Sequence, residues 1–161
     1  MTSMLEYLAS LRQYGHRPVR LGEIRIGRTH YAAGEFVNAH DEHTRIALMP
    51  MYRSDHVTRD SAGPTPALLP ASYRRSSNTV YNLDGALWYI SGWHTGRTNK
   101  THAENHDGVF WLDRVVLRGN DFRFRSPNVQ TASIVHWTES FDAAMALAGP
   151  EVRARIAGLS A

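Results

Sequence analysis

The sequence predicts an α+β fold, a mainly antiparallel sheet built from hairpins with an N-terminal helix and a proline-interrupted C-terminal helical segment. Three observations carry this. Helical signals are confined to the two ends of the chain, with Met4, Leu5, Leu8 and Leu11 at helical spacing near the start. Between the ends the apolar period shortens to two: Ile24 and Ile26 alternate with Glu23 and Arg25, and Ile46 and Leu48 with Arg45 and Ala47. The dipeptide Asp84-Gly85 lies between NTVYNL and ALWYISGW, and it favours the positive backbone angles of a type I′ hairpin turn.

The first helix begins at a capping box, Ser3 with Glu6, and Gly15 ends the pattern. Its apolar face is expected to pack on the sheet. Strands follow from Val19 to Tyr52. The segment from His56 to Ser77 holds three prolines and no clear period, which predicts a long crossing loop or flap. After the Asp84-Gly85 hairpin, a Gly119-Asn120 turn joins VFWLDRVVL to DFRFR, where Phe122 and Phe124 face one way and Arg123 and Arg125 the other. TASIVHW adds a further strand. Ser140 caps FDAAMALA, Gly149 closes it, and Pro150, which needs no amide hydrogen at a first helical position, opens EVRARIAGL.

The 161 residues suit one globular domain, 1–161, able to bury a core of its own. The mixture of 42% hydrophobic and 20% charged residues excludes a disordered or fibrous chain. With no cysteine, disulfides, cysteine-held zinc, iron–sulfur clusters and thiol nucleophiles are excluded. No secretory leader or apolar run of membrane-spanning length is visible, so a cytoplasmic location and no membrane partner are expected. The formal charge is +3 and nearly all the basic charge is arginine, whose planar fork suits phosphate and carboxylate.

Chemistry concentrates in GWHTGRTNKTHAENHDGVFW, residues 92–111, which holds the chain's only lysine. If ALWYISGW and VFWLDRVVL are neighbours, about fourteen residues connect them, far beyond the usual hairpin loop, and loops that long are commonly functional or disordered. His94, His102, Glu104 and His106 are its candidate catalytic residues. Arg97 and Lys100, extended by Arg123 and Arg125 of the DFRFR strand, are candidate ligand-binding residues. Here a histidine would move a proton while cations hold a phosphate. Trp88, Tyr89, Trp93 and Trp111 could stack on bases if exposed.

The cofactor is left unassigned by the sequence, with a divalent metal as the candidate for which it offers ligands. His102 and His106 have H-x-x-x-H spacing, Asp107 adds an oxygen, and AHDEH supplies His40 and His43 from another strand connection. The site requires the two clusters to meet at one sheet edge. HAE at 102–104 echoes zinc deaminases, but their P-C-x-x-C partner cannot exist here. Asp55-His56-Val57 with Asn78 has the residue types of an HNH nuclease, without a convincing third ligand. His136 is expected to be a strand histidine satisfied by a neighbour, and His16 and His30 to be solvated beside turns. No phosphate-cradling glycine loop, nucleophile elbow or dinucleotide fingerprint is present.

The leading functional expectation is a small basic domain whose Arg/His loop face binds a phosphate-rich partner such as nucleic acid, in an accessory or regulatory role. The alternatives are a small hydrolase, phosphodiester or other, using the loop histidines with or without metal, and a protein that inhibits or bridges another protein.

Overall fold

The computed structural model describes residues 3–54, 70, 78–94, 109–116 and 126–159. Helix α1 (Met4–Leu11) and a 3-10 turn precede strands β1 (Arg17–Ile26), β2 (Thr29–Val37), β3 (Thr44–Arg53), β4 (Thr79–Leu83), β5 (Ala86–His94), β6 (Val109–Arg114) and β7 (Asn128–Ser140). Helices α2 (Phe141–Leu147) and α3 (Pro150–Leu159) follow. The expected sheet, N-terminal helix and split C-terminal helical segment are all present. The expected Gly119-Asn120 turn, the DFRFR strand and nearly all of the proline-rich segment lie outside the described residues.

The sheet goes further than an open array of hairpins: it closes into a barrel in the order β1-β2-β3-β6-β5-β4-β7. Six neighbouring pairs are antiparallel, and β4 runs parallel to β7. Parallel pairing arises because Val116 and Ser126, which flank the connection between β6 and β7, belong to opposite ends of the barrel. The strand β7 therefore re-enters beside β4 in the same direction, with Thr79 opposite Asn128 and Leu83 opposite Ala132. Closure pairs β1 with β7 and so removes the unpaired edges that an open sheet would expose.

Alternation sorts the side chains between two apolar clusters. Ile24, Ile26, Tyr31, Ile46, Leu48, Tyr81, Trp88, Ile90, Phe110 and Leu112 fill the barrel. The residues beside them in the strands, including Phe36, Ala47, Met49 and Val109, point outward and join Leu8, Leu11, Phe141 and Ile156 of the helices. Thus β3 is apolar on both faces, and Ala47 sits under the helices and not in solvent as simple alternation would have it.

The helix α1 forms where expected. Glu6 N–H donates to Ser3 Oγ at 3.2 Å, and the Ser3 hydroxyl donates to the Glu6 carboxylate at 3.1 Å. This variant of the capping box satisfies an otherwise unpaired amide at the helix start. Met4 and Leu8 close directly over Gly34 of β2, where a Cβ would stand only 2.7 Å from Leu8 Cδ1. Absence of a side chain at Gly34 is what lets the helix lie against the wall. Tyr7, fully buried, accepts a hydrogen bond from Trp111 Nε1 across this interface, and burial pushes its phenol far above the ordinary range. At the far end, Ser140 Oγ accepts from Ala143 N–H at 3.1 Å to start α2. Asp84 and Gly85 have φ of 53° and 85°, the pair of positive values the hairpin requires.

Candidate functional site

Register assigns every strand terminus to one of two barrel ends. The turn between β1 and β2, the end of β3, the starts of β4 and β7, and the junction of His94 with Val109 share one end, called here the loop end. The connection between β2 and β3, the Asp84-Gly85 turn, and the ends of β6 and β7 share the other.

The sequence candidates divide accordingly. His94 closes β5 opposite Val109, so the strands flanking the His/Arg-rich loop are indeed neighbours and the loop leaves and returns at the loop end. Arg97, Lys100, His102, Glu104, His106, Asp107, Arg123 and Arg125 lie outside the described residues, as do Asp55, His56 and Val57. His40 and His43 lie at the opposite end. Their connection is built by its own polar groups: Asn38 Oδ1 accepts from His40 N–H at 2.7 Å and Asp41 Oδ1 from His43 N–H at 3.0 Å. The Asp41 carboxylate also faces Arg45 at 3.6 Å. The bound amide of His43, aided by Arg45, holds the Asp41 carboxyl below its ordinary range. Among the described residues no three His, Asp or Glu side chains are grouped to hold a metal ion.

The other sequence candidates have structural partners. His136 Nδ1 lies 2.8 Å from Thr138 Oγ1, a neighbour-satisfied strand histidine. His16 Nδ1 accepts from Ala39 N–H at 3.3 Å and sets its ring edge-on to Phe36 and His40. Burial, with the charges of His40 and Arg45, holds its imidazole below the ordinary range. Asn78 donates from Nδ2 to the Ser126 carbonyl at 3.0 Å, tying the starts of β4 and β7. Trp88 points into the barrel and Trp111 lies under α1, so neither offers a free stacking face.

Two polar constellations emerge that the sequence reading did not single out. At the mouth opposite the loop end, Arg20 donates from Nε and Nη2 to Glu35 Oε2 at 3.1 and 3.0 Å and lies 4.3 Å from the centroid of Trp137. Arg114 lies 5.5 Å over Trp88, and Asp84 stands on the same rim. The cleft is about 220 Å³, below the ~300–1,000 Å³ of usual ligand pockets. Its two arginines are matched by two carboxylates. This is a capped barrel mouth with balanced charge, not a ligand cavity.

The second constellation is on the outer wall at the loop end. His30 Nδ1 lies 3.0 Å from Glu23 Oε2, and His30 Nε2 lies 3.0 Å from Ser54 Oγ. Tyr52 stacks on the imidazole, centroid to centroid 4.4 Å with an interplanar angle of 11°. The three polar groups come from β1, β2 and the end of β3. The hairpin register Arg25↔His30 makes Glu23 the diagonal neighbour of His30, a pairing that the Gly27-Arg28 turn could have revealed from sequence. Ser54 could not have been found that way. His30 is therefore not the solvated turn residue expected: its side chain is 13% exposed and that of Glu23 15%. Around it the described residues of the loop end are mainly basic. Arg25, Arg28 and Arg53 are exposed, and Glu23, the carboxylate within this constellation, is engaged with His30.

No described helix is long and apolar enough to cross a membrane. Compared with protein-family models, curated proteins and solved structures, the chain matches none, and its role has to be read from its own residues.

Proposed function

We propose that this chain is a small basic α+β binding domain, acting in an accessory or regulatory role, whose loop end engages a phosphate-rich partner, nucleic acid foremost. The observation that carries the reading is the clustering of exposed Arg25, Arg28 and Arg53 at the barrel end where the His94–Val109 connection also begins and returns. That connection contributes Arg97 and Lys100 by sequence, and the segment leading to β7, which starts at this end, contributes Arg123 and Arg125. The opposite end pairs its cations with carboxylates, Arg20 with Glu35 and Arg45 with Asp41, so a polyanion approaching along the barrel axis is attracted more strongly to the loop end. Arginine contacts to phosphate release condensed counterions, and affinity then falls as salt rises.

Binding of labelled single- and double-stranded oligonucleotides at two salt concentrations tests this. The Arg25→Ala/Arg28→Ala/Arg53→Ala variant should bind more weakly than the parent, with a shallower salt dependence, while retaining its melting behaviour. The quadruple Ala variant at Arg97, Lys100, Arg123 and Arg125 should do the same. Equal affinity in both folded variants would overturn the reading.

A further inference from the structure

We infer that Ser54, His30 and Glu23 form a nucleophile, base and orienting carboxylate able to cleave activated carboxylic esters. This activity is independent of the polyanion binding proposed above. Both heavy-atom contacts, Ser54 Oγ to His30 Nε2 and His30 Nδ1 to Glu23 Oε2, measure 3.0 Å, within the reach that proton transfer requires. Exposure is graded in the order a hydrolase needs: Ser54 is exposed to an incoming substrate, while His30 and Glu23 are largely shielded. Tyr52 lies flat on the imidazole and fixes its plane. The roles are recognised by geometry, because such constellations recur on unrelated folds in different chain orders.

The proton inventory defines the reactive form. Ser54 Oγ is also 3.0 Å from the Arg28 carbonyl oxygen, and its single hydrogen can serve only one acceptor. When it points to Arg28, His30 must donate from Nε2. With Nδ1–H also facing Glu23, the ring is then the doubly protonated cation. When His30 is neutral, Nδ1–H donates to Glu23 and the Nε2 lone pair accepts the serine proton. Neutral His30 is the working state. Ser54 Oγ then bonds to the acyl carbon as its proton passes to Nε2, and Glu23 stabilises the imidazolium formed. Collapse breaks the bond to the leaving alcohol, whose oxygen takes that proton, and leaves an ester on Ser54. Water attacks this ester as its proton passes to Nε2, and collapse breaks the bond to Ser54 Oγ, which takes that proton back, releasing the carboxylic acid and restoring the Ser54 hydroxyl and neutral His30. The open setting, with no apolar pocket among its described residues, favours small acyl groups with good leaving groups.

The test is covalent labelling of the whole protein with a fluorophosphonate, located by mass spectrometry, with hydrolysis of p-nitrophenyl acetate as a second readout. The expected result is one adduct, on Ser54, absent in Ser54→Ala and formed at least tenfold more slowly in His30→Gln and in Glu23→Gln. The ester hydrolysis lost in Ser54→Ala should be reduced in the same way by His30→Gln and by Glu23→Gln. His43→Ala, an exposed histidine at the opposite end of the barrel, should leave both rates unchanged. If His30→Gln melts early, Glu23→Gln decides. No adduct on Ser54, an adduct on another residue alone, or a Ser54 rate indifferent to both substitutions would overturn the proposal.

Discussion

His43 and His94 stand at opposite ends of the barrel. Val37 pairs with Thr44 just beyond His43, whereas His94 pairs with Val109 where Leu48 and Phe110 have already met between β3 and β6. Val109 falls level with Met49, six residues along from His43, and at ~3.3 Å per residue about 20 Å of strand separates them. Ligand atoms of a common zinc site sit ~2 Å from the metal. The AHDEH connection and the His94 junction are thus separated by about ten times that ligand distance. A His40→Ala/His43→Ala variant is expected to retain the same metal-to-protein ratio as the parent after exposure to zinc and removal of excess ion. Elemental analysis measures it, and loss of a whole equivalent would contradict the prediction.

Glycine positions along the wall should differ sharply in tolerance. At Gly22 a Cβ would fall 2.3 Å from the His136 carbonyl oxygen and 2.6 Å from Trp137 Cε3, and backbone oxygen cannot move aside without opening the β1–β7 ladder. At Gly34 the nearest atoms are the ends of flexible Leu8 and Met4 side chains. Gly34→Ala should cost about 1–3 kcal/mol as an overpacked but adjustable contact. Gly22→Ala should cost more, and urea denaturation of the two variants gives the ranking.

The hairpin offers a purely conformational control. Nothing lies within 4 Å of a Cβ built on Gly85, yet its φ is +85°. Gly85→Ala should therefore destabilise by about 1–2 kcal/mol through backbone strain alone. Gly85→Asn should cost less, because asparagine tolerates the left-handed region. Equal losses from the two substitutions, read from chemical melts, would point to a packing cause instead.

Acid should weaken the corner around His16. Its folded imidazole is held below the ordinary range, so the unfolded chain binds a proton more readily. Its contribution is therefore complete above about pH 6.5, the ordinary histidine value, and is lost as pH falls toward the lowered folded value. Protonation at Nδ1 would also break the hydrogen bond from Ala39 N–H. His16→Gln should flatten the decline in stability between about pH 7 and 5. Denaturation curves at several pH values check this. Asp41, also lowered, acts in the same direction but nearer pH 4 and below.

Much of the local structure was legible. Period-two alternation placed Ile24, Ile26, Ile46 and Leu48 on one face because a half-covered strand must alternate. Ser3, Ser140 and Asp84-Gly85 act through neighbours three residues away or fewer. Closure was not legible: the partnership of Leu21 with Glu139, like the parallel entry of β7 beside β4, depends on contacts between distant segments. The candidate site shows the same division. Glu23 and His30 are joined by a local hairpin, but Ser54 reaches them from β3 through a register shift between His30 and Tyr31. A bulge of that kind changes which residues share a face, and alternation alone cannot announce it. Arg20 and Glu35 were not legible as a pair for a related reason, since nothing in an alternating strand marks two charged residues as closing a barrel mouth.

The pairing of the earliest strand with the last has a consequence in time. On a ribosome adding ~5–20 residues per second, about a hundred residues must be made after Ile26 before β7 is complete enough to meet β1, so that edge stays open for roughly 5–20 s. During that interval β2 covers one side of β1, while the other offers a free row of amides and carbonyls to any neighbouring nascent chain. A fragment ending before Asn128 would keep that vulnerability permanently, and should be recovered as aggregate where the complete chain is recovered as monomeric or otherwise discrete species.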